Sequence, residues 1–155
     1  MRISIQNKIA FAILLTAFVP LTYWGRLEEV MYPIHLSFFT GEPDAWGTRI
    51  NLLVLLGIAV VLYIVLLLCC RFPKMINYPV WATEEDKVKM FPIGVELAQR
   101  LNYILMLVFS LITNCSSLMA IGLIDKFPIY MLWVSFLCLM AAVVKFTIQV
   151  RRVGR

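Results

Sequence analysis

Charge is scarce in this sequence. Asp, Glu, Lys and Arg make up only 15% of its 155 residues, against about 25% in an ordinary soluble domain. Histidine occurs once, at His35, and no stretch is dominated by serine, glycine or proline. The cysteines at 69, 70, 115 and 138 all lie inside apolar runs. That placement excludes a secreted disulfide scaffold, and none of the four has the paired spacing of a zinc site. They read as small side chains facing lipid or core. There is no serine-centred elbow, no H-E-x-x-H, no phosphate-binding glycine loop and no paired aspartate within a span. No catalytic residue and no cofactor is therefore assigned, and the chain is not read as an enzyme. The net charge of +5 is not a nucleic-acid signal either. Its cations flank apolar runs and form no basic stripe interleaved with aromatics.

What is abundant is apolar surface. The hydrophobic fraction is 62% and the mean hydropathy +0.88. A soluble chain of this length has too high a surface-to-volume ratio to hide so much. The composition points to an all-α integral membrane protein, with residues 1–155 as a single membrane domain whose first partner is the lipid bilayer.

Four apolar runs carry that expectation: about 9–24, 50–70, 101–124 and 129–150. A bilayer core about 30 Å thick takes about 20 helical residues. The first run is short, and Arg2 and Lys8 before it give it a signal-peptide character. No small-x-small cleavage site follows, and Tyr23-Trp24 has the look of an interfacial anchor, so a retained helix is expected. Lys and Arg set the orientation. Eleven of the fourteen fall at the N-terminus, in the middle loop and at the C-terminal end, leaving Arg26, Arg49 and Lys126 for the other side. The positive-inside rule then places both termini and the middle loop in the cytoplasm, and the first and third loops outside a bacterial inner membrane.

The loops carry further signals. Asp125-Lys126-Phe127-Pro128 is so short that the last two helices must form an antiparallel hairpin, with Pro128 in the first turn of the fourth. Arg71-Phe72-Pro73-Lys74 closes the second helix, where the dipole favours cations. Asn77–Trp81 reads as extended, because each proline disfavours helix before it. Thr83-Glu84-Glu85-Asp86 is a helix start, with Thr83 as N-cap. That amphipathic helix is expected to run toward Met90, with Pro92 restarting or kinking the chain. Glu96 and Arg100 have the spacing and order of a helical ion pair.

Polar residues inside the spans concentrate in the third. Asn102, Ser110, Thr113 and Ser117 share a helical face, with Asn114 beside it. They serve either close helix packing and cross-helix hydrogen bonding or the lining of a polar path. Packing is favoured, because no Asp, Glu, Lys or Arg lies deep in any span. Asn51, near the outer end of the second helix, is placed to bond into the first loop.

The first loop, residues 32–49, is the part most suited to recognition. Gly41-Glu42-Pro43-Asp44 is turn chemistry, with Asp44 a candidate N-cap for the second helix. Ile34, Leu36, Phe38 and Phe39 are too apolar for a freely exposed loop and should fold back on the helix ends or lie at the interface. The external segment as a whole, from Arg26 to Arg49, is acidic, with Glu28, Glu29, Glu42 and Asp44 against those two cations. His35, Glu42 and Asp44 are the one set that a metal would use, although H-x6-E-x-D matches no metal pattern. Structural hydrogen bonding, ligand recognition and catalysis are the open readings of these three, in that order.

Tyr32-Pro33-x-His35 followed by Gly41-Glu42-Pro43-Asp44-x-Trp46-Gly47-x-Arg49 resembles the first-loop signature of a bacterial membrane family, that of the domain of unknown function 1648. Its pattern is a Pro, a His two residues on, then G-x-P-D, an aromatic or Gly pair and a Lys. Asn77-Tyr78-Pro79 before an acidic helix start is similar to the family's segment after helix two. This chain has Arg49 where the family often has Lys, and Asp86 where it often has Asn. The resemblance covers about residues 9–124. It implies a multi-spanning inner-membrane protein, and the family includes immunity proteins that protect against a secreted peptide toxin and hold a cytoplasmic repressor at the membrane. On that footing the expected function is a receptor or immunity-type module. Its external site (Tyr32, Pro33, His35, Gly41, Glu42, Pro43, Asp44, Trp46, Arg49) would bind an extracellular peptide or small ligand, and residues 71–100 would face a cytoplasmic protein. The alternative is a small transporter or channel subunit, assembled as a homo-oligomer, with the third helix's polar face along the path.

Overall fold

The computed structural model describes residues 4–27, 31–37 and 39–153. In chain order it holds helix α1 (Ile5–Thr16), a 3-10 segment (Val19–Leu27), strands β1 (Tyr32–Leu36) and β2 (Pro43–Gly47), helix α2 (Ile50–Arg71), a short 3-10 turn (Pro73–Met75), helix α3 (Glu84–Ala120) and helix α4 (Ile129–Val153). Four of its helical segments are long and apolar enough to cross a membrane. Arg2, Glu28, Glu29, Phe38 and Arg155 lie outside the described residues, as do the side chains of Tyr23 and Leu36.

Each helix end follows from its sequence. The Ser4 hydroxyl caps α1 by accepting from the Asn7 backbone N–H at 3.3 Å. α1 ends eight residues earlier than the expected first span, and the chain continues through the 3-10 segment to Leu27. α2 matches its apolar run and closes at Arg71, as expected. α3 opens on a full capping box. The Thr83 hydroxyl accepts from the Asp86 N–H at 3.2 Å, and the Asp86 carboxylate accepts from the Thr83 N–H at 3.3 Å. At its other end Gly122 takes a positive φ of 73°. The Leu123 N–H there donates to the Leu118 carbonyl at 2.9 Å, the wrap that a left-handed glycine permits.

Pro92 does not restart the chain: α3 runs unbroken through it for 37 residues. The missing N–H would have bonded the Val88 carbonyl, and Val88 lies on the exposed flank of the helix, where water can take that oxygen. The neighbouring turns are held in place by buried Met90, Gly94 and Ala98. Pro128 stands one residue before α4, not within its first turn.

α3 is the hub. It packs against α1, α2, α4, β1 and both 3-10 segments, while α4 packs chiefly on α3. Three apolar clusters lie along the bundle. Ala17, Tyr32, Leu52 and Leu56 sit at the hairpin end, Ala10, Leu14, Ala59 and Met106 in the middle, and Ala82, Met90 and Val150 at the far end. The outer faces of α2 and α4 stay apolar and exposed through Val54, Ile58, Val61, Val65, Val134, Leu137, Met140 and Val144. Only 11% of the apolar stretch of α4 is buried within the protein. Such exposed apolar faces suit the inside of a bilayer, and they carry much of the apolar excess in the composition.

Candidate functional site: a β-hairpin docked on the helix ends

The loop from 32 to 49 folds as an antiparallel hairpin. Tyr32 pairs with Gly47, Pro33 with Trp46, His35 with Ala45 and Leu36 with Pro43, and the register shifts on either side of His35. A two-stranded hairpin is marginal in water on its own, so its fixation must come from elsewhere. The first anchor is Tyr32, which is fully buried. Its hydroxyl donates to the Thr113 carbonyl at 3.3 Å, and the Ser117 Oγ lies 3.4 Å away.

The second anchor is the turn. Ser37 N–H donates to Glu42 O at 2.8 Å and Gly41 N–H to Ser37 O at 2.9 Å. Gly41 has φ +71°, and a Cβ there would overlap the Phe127 carbonyl oxygen. The Phe127 N–H in turn donates to Gly41 O at 3.0 Å. Beside this contact Lys126 pairs with Glu42 at 2.6 Å, and this hydrogen bond holds the Lys126 ammonium above the usual lysine range, with the Glu42 charge and, more weakly, Asp125 adding to it.

The third anchor is Arg49. Its guanidinium donates to the Trp24 carbonyl at 2.9 Å and lies 4.6 Å over the Trp24 ring, so it ties the hairpin's exit to the 3-10 segment. Asp44 does not cap α2. It sits in β2 and pairs with His35 across the hairpin, and Arg49 occupies the N-cap without a side-chain cap bond. Asn51 does bond toward the loop, donating to Thr48 O at 2.9 Å.

The structure thus splits the His35, Glu42, Asp44 set. His35 and Asp44 form one exposed pair, Glu42 turns to Lys126, and among the described residues no group of three His, Cys, Asp or Glu is placed to hold a metal ion. Ile34 and Phe39 do not fold back on the helices but stand exposed. Pro33 is buried, Pro43 half-buried, and Trp46 points out. Met31 and Trp46 form one wall of an open hollow of about 530 Å³, and Met119, Ala120 and Gly122 at the end of α3 form the other. Sequence reasoning missed Trp24, Lys126 and Phe127 as partners of this site. Their contacts are long-range, and nothing local in the sequence signals them.

The polar face of α3 divides in two. Ser110 Oγ meets Thr16 Oγ1 of α1 at 2.6 Å, and the Asn114 amide donates to Thr16 O at 2.9 Å and to Ser110 O at 2.8 Å. The Thr113 hydroxyl donates back to Phe109 O at 2.9 Å, and Ser117 donates to Thr113 O at 2.7 Å. These four residues knit α3 to α1 and to the hairpin anchor. Asn102, fully buried, has no protein partner for either side-chain atom.

The segment 71–100 on the other side is also built. Tyr78 packs on Phe91 with ring centroids 5.7 Å apart. Glu96 bonds Arg100 at 2.6 Å, and Lys145 of α4 at 2.9 Å. Lys74, Tyr78, Glu84, Lys87, Val88 and Phe91 line a pocket of about 300 Å³.

No protein-family model matches the chain, and neither the curated proteins nor the solved structures contain a significant match to it.

Proposed function

We propose that this chain is a recognition module of a bacterial inner membrane, with both termini and residues 71–100 in the cytoplasm and the hairpin outside. The hairpin binds an extracellular peptide or small ligand, and the module protects the cell from it or reports it to a cytoplasmic protein at 71–100. The observation that carries this reading is a short hairpin fixed at three points to the helix ends, through Tyr32, Gly41 and Arg49, while Ile34, Phe39 and Trp46 remain exposed. Exposed aromatic and aliphatic side chains cost solubility, and fixing them on a rigid support lowers the ordering entropy of binding. The eleven-to-three distribution of Lys and Arg supports the orientation. The loop's resemblance to the first-loop signature of the domain of unknown function 1648 supports the immunity-type role. Recognition is favoured over transport because Ser110, Thr113, Asn114 and Ser117 spend their hydrogen bonds on packing.

The test is protection. Cells expressing the chain are challenged with a panel of secreted peptide toxins, beside cells expressing Trp46→Ala and the pair His35→Ala with Asp44→Ala at matched membrane levels. The expected result is survival at higher toxin dose for the wild type and loss of that margin in the variants. Identical dose curves for all strains across the panel would refute the immunity role.

A further inference from the structure

Among the described residues, the buried side-chain atoms left without a partner belong to three residues: Asn7, Tyr78 and Asn102. They all lie toward the Lys- and Arg-rich end of the bundle. Toward the hairpin end, Thr16, Tyr32, Ser110, Thr113, Asn114 and Ser117 are all hydrogen-bonded. Among the described residues, unpaired buried polarity is therefore confined to one half of the bundle.

Asn7 and Asn102 stand at one level. α1 and α3 are linked by Gln99 donating to Ser4 Oγ at 3.1 Å and, further along, by Thr16 and Ser110 at 2.6 Å, with nearly the same offset in sequence. That offset sets Asn7 level with Asn102. Asn7 is 4% exposed and Asn102 0%. The Asn7 side chain lies beside Cys70 of α2, and its backbone carbonyl accepts from the Tyr63 hydroxyl at 3.4 Å. The Asn7 Oδ1 is left without a protein partner. The unpartnered set at this junction is two carbonyl oxygens, Asn7 Oδ1 and Asn102 Oδ1, and one amide, Asn102 Nδ2.

That inventory selects the ligand. A cation would suit the two oxygens and be repelled by the amide hydrogens, and an anion would suit only the amide. Water brings two donors and two acceptor lone pairs, which match two oxygens and one N–H donor together. The surroundings are defined as well. Gly94 and Ala98 precede Asn102 by two turns and one turn of α3, and both are buried. The unpartnered Tyr78 hydroxyl rests against Gly94, where a Cβ would come within 2.5 Å of it. Above Asn102 the apolar group Ala10, Leu14, Ala59 and Met106 closes the bundle. We propose that Asn7 and Asn102 form a buried water-binding site, reached from the Lys- and Arg-rich end along Tyr78, Gly94 and Ala98 and closed toward the hairpin by that apolar group. The inference is independent of what the hairpin binds.

Side-chain amide NMR on the full chain in lipid nanodiscs tests it, with Asn114 as internal reference because its three amide contacts, to Thr16 O, Ser110 O and Ser110 Oγ, are all to protein oxygens. The expected result is a cross-peak between Asn102 Nδ2H2 and water, and deuterium exchange of Asn102 at least about tenfold faster than that of Asn114, since exchange reports local access. Asn7→Leu should weaken the Asn102–water cross-peak. If that variant fails to fold, the wild-type comparison of Asn102 with Asn114 decides alone. Replacing sodium chloride by choline chloride should leave the Asn102 resonances unmoved. A saturable shift on adding Na+ would assign a cation site instead. Absence of a water cross-peak, or exchange of Asn102 as slow as that of Asn114, would mean a dry junction and overturn the proposal.

Discussion

Replacing Gly41 by alanine isolates what holds the hairpin in place. Gly41 has a left-handed backbone with φ +71°, and Gly122 has nearly the same φ, +73°. Their surroundings differ. A Cβ at Gly122 would meet nothing within 4 Å, whereas at Gly41 it would overlap the Phe127 carbonyl oxygen and lie 3.2 Å from the carbonyl carbon. Alanine in the left-handed region costs about 1–2 kcal/mol, and both variants carry that cost. At Gly41 the 120s loop must also move away, which breaks the Phe127 N–H to Gly41 O bond at 3.0 Å, a loss of about 0.5–1.5 kcal/mol net. The sum is about 1.5–3.5 kcal/mol against local docking, or about 10- to 400-fold in the opening equilibrium. Hydrogen exchange of peptides covering 32–47, read by mass spectrometry in nanodiscs, measures it. Gly41→Ala should raise exchange across the hairpin by that factor while α2, α3 and α4 keep wild-type protection. Gly122→Ala should raise exchange only around 118–124. If both variants leave the hairpin equally protected, the turn is not an anchor and its fixation must rest on Tyr32 and Arg49 alone.

Two further outcomes follow from the same contacts. Tyr32→Phe keeps the buried ring and removes one hydroxyl, so it should cost about 0.5–1.5 kcal/mol in mixed-micelle unfolding, while Tyr32→Ala empties the cluster with Leu52 and Leu56 and should cost about 3–5 kcal/mol; equal effects of the two would show that the ring does not pack. The Lys126 pKa is raised by its bond to Glu42, so the pair's contribution is complete below the ordinary lysine range and is lost as pH rises through the raised value. Thermal unfolding between pH 8 and 12 should therefore show the wild type losing its margin over Lys126→Gln only above about pH 10.4, and a margin constant across that range would refute the pairing.

How far the sequence reveals this fold depends on the range of the forces involved. Helices α2 and α4 are legible because each is a long apolar run with few charges, and the Thr83 cap is legible because its partner Asp86 is three residues away. Pro92 misleads. Its local preference is to break a helix, but a 37-residue rod packed on three other helices overrides one lost hydrogen bond. The hairpin is hidden for the opposite reason. Pro33 and Pro43 both weigh against strands, the pairing carries register shifts, and its fixation comes from Thr113 and Phe127, far along the chain. The same holds for the site. Its residues are named by their types, yet the pairing of Glu42 with Lys126 rather than with His35 depends on where α3 ends.

Under the proposed recognition role, the unbroken course of α3 offers a route between the two ends of the bundle. At 1.5 Å per residue its 37 residues run about 55 Å, well beyond the roughly 30 Å of a bilayer core. One end carries Thr113 and Ser117, which hold Tyr32 of the hairpin. The other begins at the Thr83 cap and passes through Glu96, which binds Lys145 of α4. A helix broken at Pro92 would let the 71–100 segment move independently of the hairpin. A continuous one links the residues that hold Tyr32 to Glu96 and its bond to α4 through one unbroken helix. Under the proposed recognition role, ligand energy at the hairpin therefore reaches the far side by rigid-body shift of α3 against α1 and α4. The Thr16–Ser110 and Asn114 bonds oppose that shift, so loosening them with Ser110→Ala should lower the ligand dose needed for a response, whereas a dose curve unchanged by this substitution would place the signal on another path.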